Sequence, residues 1–141
     1  MRVYEYPFKF TVAEEGGWVI TCRDLPEAIS QAEANEEREE VASGCLQAAL
    51  EARIRYDMEL PRPSKLKARE ALIAPPAGTA AKAALYVAMR EAGVSKMELA
   101  RRLGVDEKEV RRMLDPGHGS KLPRVAEAIE ALGRHLRIAL A

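Results

Sequence analysis

The acidic side chains of the first half are the residues whose type could support catalysis, because paired carboxylates hold the two metal ions of many nucleases. The candidates are Glu5, Glu14, Glu15, Asp24, Glu36, Glu37, Glu39 and Glu40. No fixed, inward-facing set can be identified among them. The last four glutamates are expected at the solvent-exposed start of a helix, and Asp24, near Pro26, is typical of a turn. We therefore expect no catalytic residue, no metal site and no cofactor.

Histidine and cysteine give no catalytic arrangement either. His118 and His135 are isolated histidines, and Cys22 and Cys45 lack the spacing of metal ligands. We expect both cysteines to pack in the core as reduced thiols of a cytoplasmic protein, with a single disulfide between them as the alternative.

Residues 96–114 carry the most specific pattern in the sequence. This pattern resembles the helix-turn-helix of the phage-repressor-like DNA-binding superfamily. Ala100 matches the small residue that lets two helices approach, and Gly104 matches the glycine of the turn. The positions that pack the two helices together are apolar here: Leu99, Leu103, Val105, Val110 and Met113. The resemblance implies that residues 106–114 form a helix that enters the major groove.

The exposed side of that helix supplies the candidate DNA contacts, because Val110 and Met113 face inward. With one lysine of the preceding helix, the candidates are Lys96, Glu107, Lys108, Arg111 and Arg112. Lysine and arginine bind guanine edges or phosphates. Glutamate accepts a hydrogen bond from the amino group of cytosine, or repels DNA sites of the wrong sequence. An ordinary helical bundle with solvated arginines is the alternative interpretation.

The charge of the chain is divided between its two halves. The 141 residues carry 22 basic and 22 acidic side chains, yet residues 1–61 sum to −7 and residues 62–141 to +7. A basic half favours a polyanion such as nucleic acid, and an acidic half favours a basic protein partner. Solvated charged faces without partners are the alternative.

The overall composition is that of a folded protein outside the membrane. A hydrophobic fraction of 48% argues against a disordered chain. No apolar run is long enough to span a bilayer, and the first residues lack the apolar core of a signal peptide. We therefore expect no membrane partner.

Alternating and glycine-rich patterns predict three strands at the start of the chain. Residues 4–12 alternate as a half-buried strand, with Pro7 at an edge or bulge. Glu15-Gly16-Gly17 predicts a hairpin turn into a second strand over residues 18–22. A third strand is expected over residues 28–32, with Ile29 facing inward.

A long helix and a linker follow these strands. Asn35 is expected to cap a helix that ends near Arg55 and covers the sheet. The apolar stripe of this helix is expected to consist of Ala42, Cys45, Leu46, Ala49 and Leu50. Pro61-Arg62-Pro63-Ser64 begins a linker, and residues 70–73 predict one more short strand. The Pro75-Pro76-Ala77-Gly78 stretch marks the expected domain boundary.

The basic half is predicted to hold four helices and a terminal strand. Thr79, Ser95 and Asp106 are the expected N-caps of the first three helices. The fourth helix begins near Lys121 and should bury Leu122. The last apolar residues alternate with Arg137 and Ala139, which predicts a strand; they are Leu136, Ile138 and Leu140.

The order of short motifs in the first half resembles the HicB antitoxin family. These motifs are Glu15-Gly16-Gly17-Trp18, Asp24-Leu25-Pro26, the Gln31 segment, the acid-rich helix start and Leu60-Pro61-Arg62-Pro63-Ser64. A C-terminal helix-turn-helix is a known companion of that domain. Two turns depart from the family pattern, which often has Pro-Gly after Asp-Leu and Gly-Asp after the glutamine. Here Glu27 stands in place of that glycine, after Pro26, and Ala32-Glu33 stands in place of Gly-Asp.

The resemblance implies an α+β fold with two domains. Residues 1–74 would form a small antiparallel sheet packed with a helix, a partial ribonuclease-H-like fold without catalytic carboxylates. They would bind and neutralise a HicA-like ribonuclease toxin. Residues 75–141 would form an all-α helix-turn-helix domain that binds operator DNA and represses the operon, as a homodimer or higher homo-oligomer. A stand-alone transcription regulator with a ligand- or partner-binding N-domain is the alternative.

Overall fold

The computed structural model describes all 141 residues and divides the chain into two compact units, Met1–Pro76 and Ala77–Ala141. The first unit is mixed α+β and the second is entirely helical. Counted within these bounds, the first unit carries 14 acidic and 10 basic side chains, and the second carries 8 and 12. The two units therefore have opposite net charges.

Four antiparallel strands form the sheet of the first unit, in the order β3-β2-β1-β4. They are β1 (Tyr6–Val12), β2 (Trp18–Cys22), β3 (Ile29–Ala32) and β4 (Glu70–Ile73). Phe8 lies opposite Cys22 on one side and Ala71 on the other, so these side chains share one face of the sheet. That inner face holds Tyr6, Phe8 and Ile20, all fully buried.

The predicted hairpin turn is confirmed. The amide of Ala13 donates to the carbonyl of Gly17 at 3.1 Å, and Gly16 and Gly17 have φ values of +90° and +77°. A Cβ on Gly17 would lie 2.2 Å from the carbonyl oxygen of Ala32. The turn therefore requires glycine at position 17 both for its backbone angle and for its close approach to the end of β3.

Two sequence expectations about the strands need correction: the position of Pro7 in the sheet and the face on which Ile29 lies. Pro7 belongs to an interior strand, but it pairs only with Leu72 of β4, because the pairing of β1 with β2 begins at Phe8. Its missing amide hydrogen therefore removes no bond to β2. Ile29 was expected to face inward and is 65% exposed; the next residue, Ser30, lies opposite the buried Ile20, so Ile29 points to the other face.

Helix α1 (Arg38–Arg55) covers the inner face of the sheet. Ala42, Leu46, Ala49 and Leu50 of the predicted stripe are buried, and Cys45 is half-buried. The expected Asn35 cap is wrong: Glu37 is the N-cap residue, and it forms no side-chain capping bond. Residues 33–36 form a turn instead, in which the Glu36 carboxylate accepts from the Glu33 amide at 2.8 Å, so the helix starts later.

The linker between α1 and β4 is bound along the first unit by polar contacts. The Tyr6 hydroxyl donates to the Pro61 carbonyl at 2.6 Å. The Asp24 carboxylate accepts from the Ser64 amide at 2.8 Å and from the Ser64 hydroxyl at 2.5 Å. Asp24 therefore does more than form a turn, since it fixes the linker to the end of β2.

The second unit consists of α2 (Ala77–Ala92), α3 (Lys96–Leu103), α4 (Glu107–Leu114) and α5 (Leu122–Glu130). Thr79 is not an N-cap: α2 already begins at Ala77, and Thr79 is buried in its first turn. Leu122 is 43% exposed rather than buried, because it is the first residue of α5.

The predicted terminal strand is absent. Residues 134–141 form no helix or strand, and Ile138 and Leu140 are 81% and 101% exposed. A strand needs a neighbour that supplies backbone donors and acceptors, and the all-helical second unit contains no strand to pair with.

Candidate functional site

Helices α3 and α4 begin and end at the residues that the sequence indicated. The Ser95 side chain accepts from the amide of Glu98 at 3.1 Å, and Gly104 ends α3 in the left-handed conformation with φ +66°. The Asp106 side chain accepts from the amide of Lys108 at 3.0 Å and caps α4. Two short helices are therefore joined by a tightly defined turn.

Apolar side chains hold these two helices in contact. Leu99 and Ala100 of α3 are buried, as are Val110 and Met113 of α4. Burying Val110 and Met113 on one side of α4 leaves the side that carries Lys108 facing solvent. The predicted inward and outward faces of α4 are thus confirmed.

The five candidate DNA-contacting residues are all on this part of the second unit. Lys96 is the first residue of α3 and is exposed, and Lys108, Arg111 and Arg112 are exposed on α4. Glu107 is partly exposed at the first position of α4.

Both arginines of α4 are paired with glutamates of the same helix. Arg111 donates from Nε and Nη2 to Oε1 of Glu107, at 3.2 and 3.0 Å. Arg112 donates from Nη1 to Oε1 of Glu109 at 3.0 Å. Lys108 lies between these pairs and makes no ion pair. The spacing of three residues between Glu109 and Arg112 is the sequence signal for this contact.

A third cluster of opposite charges lies on α3. Arg101 and Arg102 both donate to the Glu98 carboxylate, with closest distances of 2.6 and 3.1 Å. These hydrogen bonds, with that from Arg101 the stronger, lower the pKa of Glu98 to about 2. The spacing of Ser95 and Glu98 is that of a capping box, but only the bond from the Glu98 amide to the Ser95 hydroxyl is formed, because the Glu98 carboxylate binds the two arginines instead.

A buried lysine anchors the C-terminal end of α4. Lys82 of α2 is 8% exposed, and its Nζ donates to the carbonyls of Arg112 and Met113 at 3.1 and 2.9 Å and to the Ser120 hydroxyl at 3.2 Å. An ammonium at this position supplies a donor to the Met113 carbonyl and a further donor to the Arg112 carbonyl, which also accepts from the Asp115 amide, and it complements the partial negative charge of the helix end. Sequence reasoning missed Lys82; the available signal was a lysine inside the apolar stripe of α2.

The first unit presents a different surface. The acidic residues before and at the start of α1 are exposed: Glu33, Glu36, Glu37, Glu39 and Glu40. Next to them, the Arg38 guanidinium lies over the rings of Phe10 and Trp18, 4.6 and 4.2 Å from their centroids. Arg38 therefore ties the acidic start of α1 to the aromatic side chains of the sheet.

A shallow depression of about 420 Å³ lies on the first unit. Lys9, Thr21, Ile29 and Lys67 contribute to its lining, together with Arg23. Arg23 is engaged by the Glu70 carboxylate, at 2.9 and 3.1 Å, and by the Lys65 carbonyl. Lys9 and Lys67 give the depression a basic rim in an otherwise acidic unit.

The structure shows no group of three or more histidine, cysteine, aspartate or glutamate side chains arranged to hold a metal ion. Cys22 and Cys45 are free thiols, and burial raises the pKa of both. None of the five helices is long and apolar enough to cross a membrane.

Comparison with known proteins agrees with the short motifs of the first half. A family model described as "HicB_like antitoxin of bacterial toxin-antitoxin system" matches residues 5–84. The chain belongs to the HicB-like antitoxin family. The matched residues span the whole sheet, α1 and the first part of α2, so the family model covers the first unit almost completely.

Relatives named as HicB antitoxins align along nearly the whole chain. Antitoxin HicB of Escherichia coli (strain K12) is 33% identical over 135 residues, covering 96% of this chain and 98% of that protein. Antitoxin HicB 2 of Photorhabdus laumondii is 35% identical over 133 residues, with 94% of each chain covered. Antitoxin HicB of Pseudomonas fluorescens (strain Pf0-1) is 34% identical over 140 residues, covering 98% and 94%. Similarity to HicB antitoxins therefore extends over both units.

Proposed function

We propose that this chain neutralises a HicA-like mRNA-cleaving toxin through residues 1–74 and represses its own operon through residues 75–141. The family supplies the antitoxin role. The division of labour is supported by the opposite charges of the two units and by the different surfaces that they expose.

The observation that carries the DNA-binding part is the arrangement of α3 and α4. A capped α3, a left-handed glycine, a capped α4 and buried apolar contacts between them are the features of a helix-turn-helix. In such a unit the second helix enters the major groove. Lys108, Arg111 and Arg112 would then contact bases or phosphates, and Lys96 at the start of α3 would lie near the DNA backbone.

The toxin-binding part is supported by charge. A toxin that binds RNA is expected to be basic, and the exposed acids around the start of α1 offer complementary charge. The sheet with one covering helix is compatible with a partial ribonuclease-H-like fold. We assign this unit a binding role in the cytoplasm and no catalytic one.

The two roles are separable by a single substitution. Arg111→Ala should weaken binding to the upstream DNA, by about 1–3 kcal/mol if a bidentate base contact is lost. Loss of a phosphate contact would instead weaken all sequences alike and flatten the salt dependence. The same variant should still rescue growth when the toxin is expressed, because residue 111 lies outside the first unit.

The measurement is a gel-shift titration at two salt concentrations beside a growth-rescue assay with the product of the adjacent small gene. Arg124→Ala on α5, also an exposed arginine paired with a glutamate, is the matched control and should leave both readouts unchanged. Lost rescue with unchanged DNA affinity would show that the roles of the two units are reversed.

Operator binding also requires at least two copies, because one module buries little surface on DNA. The exposed Ile138 and Leu140 supply an apolar edge that a second copy would cover by strand pairing. Removing residues 134–141 should then lower the mass measured by light scattering. An unchanged mass would show that residues 134–141 do not form the contact between copies of the chain.

The alternative is a stand-alone transcription regulator whose first unit binds a small ligand. The basic-rimmed depression on the sheet favours this function, since it would suit an anionic molecule. Copurification of such a molecule, together with failure to bind the product of the adjacent gene, would support the alternative.

A further inference from the structure

The ion pair of Glu107 and Arg111 leaves one hydrogen-bond donor and one acceptor without a partner in the protein. Both hydrogen bonds from Arg111, through Nε and Nη2, end on Oε1 of Glu107. The second carboxylate oxygen, Oε2, and the second terminal nitrogen, Nη1, therefore have no partner in the protein. The two side chains are 33% and 64% exposed, so these groups are open to an incoming ligand.

The position of the pair on α4 determines what those groups would meet. Glu107 is the first residue of the helix and Arg111 lies one turn later, and in a helix-turn-helix the N-terminal residues of the second helix contact base edges. A carboxylate oxygen can only accept, so it repels phosphates and the acceptors of guanine and thymine. The amino group of cytosine donates to it without a neighbouring acceptor, whereas adenine places its N7 acceptor beside its amino group. An arginine end nitrogen donates, and guanine offers two acceptors.

We propose that the Glu107–Arg111 pair is a composite base-recognition element that selects a cytosine and a guanine, either within one base pair or on adjacent pairs. This inference rests on the proposed DNA-binding function and names the sequence that the function requires. Arg111 holds Glu107 in place, which lowers the conformational freedom lost when both groups meet the bases. Glu107 is the specificity-determining residue, since it excludes guanine and thymine, which present only acceptors, and disfavours adenine, whose N7 acceptor lies beside its amino group.

The opposite flank of α4 provides the matched control. Glu109 pairs with Arg112 through a single hydrogen bond at 3.0 Å, with side-chain exposures of 40% and 49%. The chemistry of this pair is similar, but Glu109 lies about 160° around the helix from Glu107. The two glutamates therefore cannot approach the same bases.

The test is selection of bound DNA from a library of random sequence, followed by affinity measurements on sites with single base changes. The wild-type chain should select a half-site with a fixed C·G position. Glu107→Gln should lower the preference for cytosine there by about tenfold and raise that for adenine, because a glutamine side chain pairs with adenine through two hydrogen bonds. Glu107→Ala should lose the cytosine preference without gaining one for adenine.

Glu109→Gln should leave the selected sequence unchanged, although its overall affinity rises with the removed negative charge. Glu107→Gln binding every site more tightly by the same factor would overturn the proposal, because Glu107 would then only weaken attraction to phosphates. A shifted base preference in Glu109→Gln, and not in Glu107→Gln, would also overturn it. A wild-type chain that selects no sequence would overturn both this proposal and the proposed DNA-binding function.

Discussion

Replacing Lys82 by methionine should destabilise the second unit, because the lysine ammonium is the hydrogen-bond partner of the last turn of α4. Methionine has a similar length and is apolar, so it fills the buried space without donating. The Met113 carbonyl, whose contact with Lys82 is buried, would lose its donor, whereas the Arg112 carbonyl would keep the Asp115 amide as a donor.

The size of the effect follows from these contacts. An unpaired buried acceptor costs about 1–3 kcal/mol, and hydrogen bonds from charged donors contribute about 1.5–3 kcal/mol. The cost of burying the ammonium offsets part of this gain, so we expect a net loss of about 2–4 kcal/mol. A unit of this size has about 3–10 kcal/mol of stability in total, and the loss corresponds to a fall in Tm of roughly 10 °C or more.

Thermal and urea unfolding of the full chain, followed by circular dichroism, measure this change. Lys96→Met, at an exposed lysine on α3, is the control and should change the free energy of unfolding by less than about 0.5 kcal/mol. The reasoning is refuted if Lys82→Met is as stable as that control. Under the proposed DNA-binding function, operator affinity should also fall with Lys82→Met, because the end of α4 frays.

Further predictions concern single contacts. Gly17→Ala should lower the free energy of unfolding by about 1–3 kcal/mol in urea titrations, because it combines a positive φ with a clash against the Ala32 carbonyl. Arg38→Ala should cost about 1–2 kcal/mol in the same assay, since two ring contacts are lost. An NMR titration should give Glu98 a pKa of about 2, so its ion pairs with Arg101 and Arg102 should remain intact at pH 4 and weaken as the pH falls towards 2. Arg101→Ala should raise the pKa of Glu98. RNA–DNA hybrids incubated with the chain and Mg²⁺ should stay intact, and metal-dependent cleavage would contradict a purely binding role.

Features set by residues close in sequence were predictable. Ser95, Gly104 and Asp106 each act on amides or backbone angles within a few positions, so their types were enough to place α3 and α4. The hairpin turn and the strand over residues 70–73 were predicted for the same reason. The family resemblance was also carried by short motifs in order along the chain.

Features set by distant contacts were not predictable in the same way. Ile29 has strand propensity whichever face it takes, and only its register against β2 decides the face. Asn35 is a good capping residue, yet the local turn made by Glu36 moved the start of α1. Lys82 finds its partners about 30 residues later along the chain, and no spacing in the sequence indicates that distance.

The anchoring of α4 by Lys82 bears on how such a domain diverges. Two of its three partners on and after α4 are main-chain carbonyls, which every residue type supplies. The exposed positions of α4 are therefore free to change without loss of this attachment. Under the proposed DNA-binding function, duplicated copies of such a gene would acquire new operators by substitutions at residues 107, 108, 111 and 112 alone. They would then become independent of one another within a single genome while keeping the same scaffold.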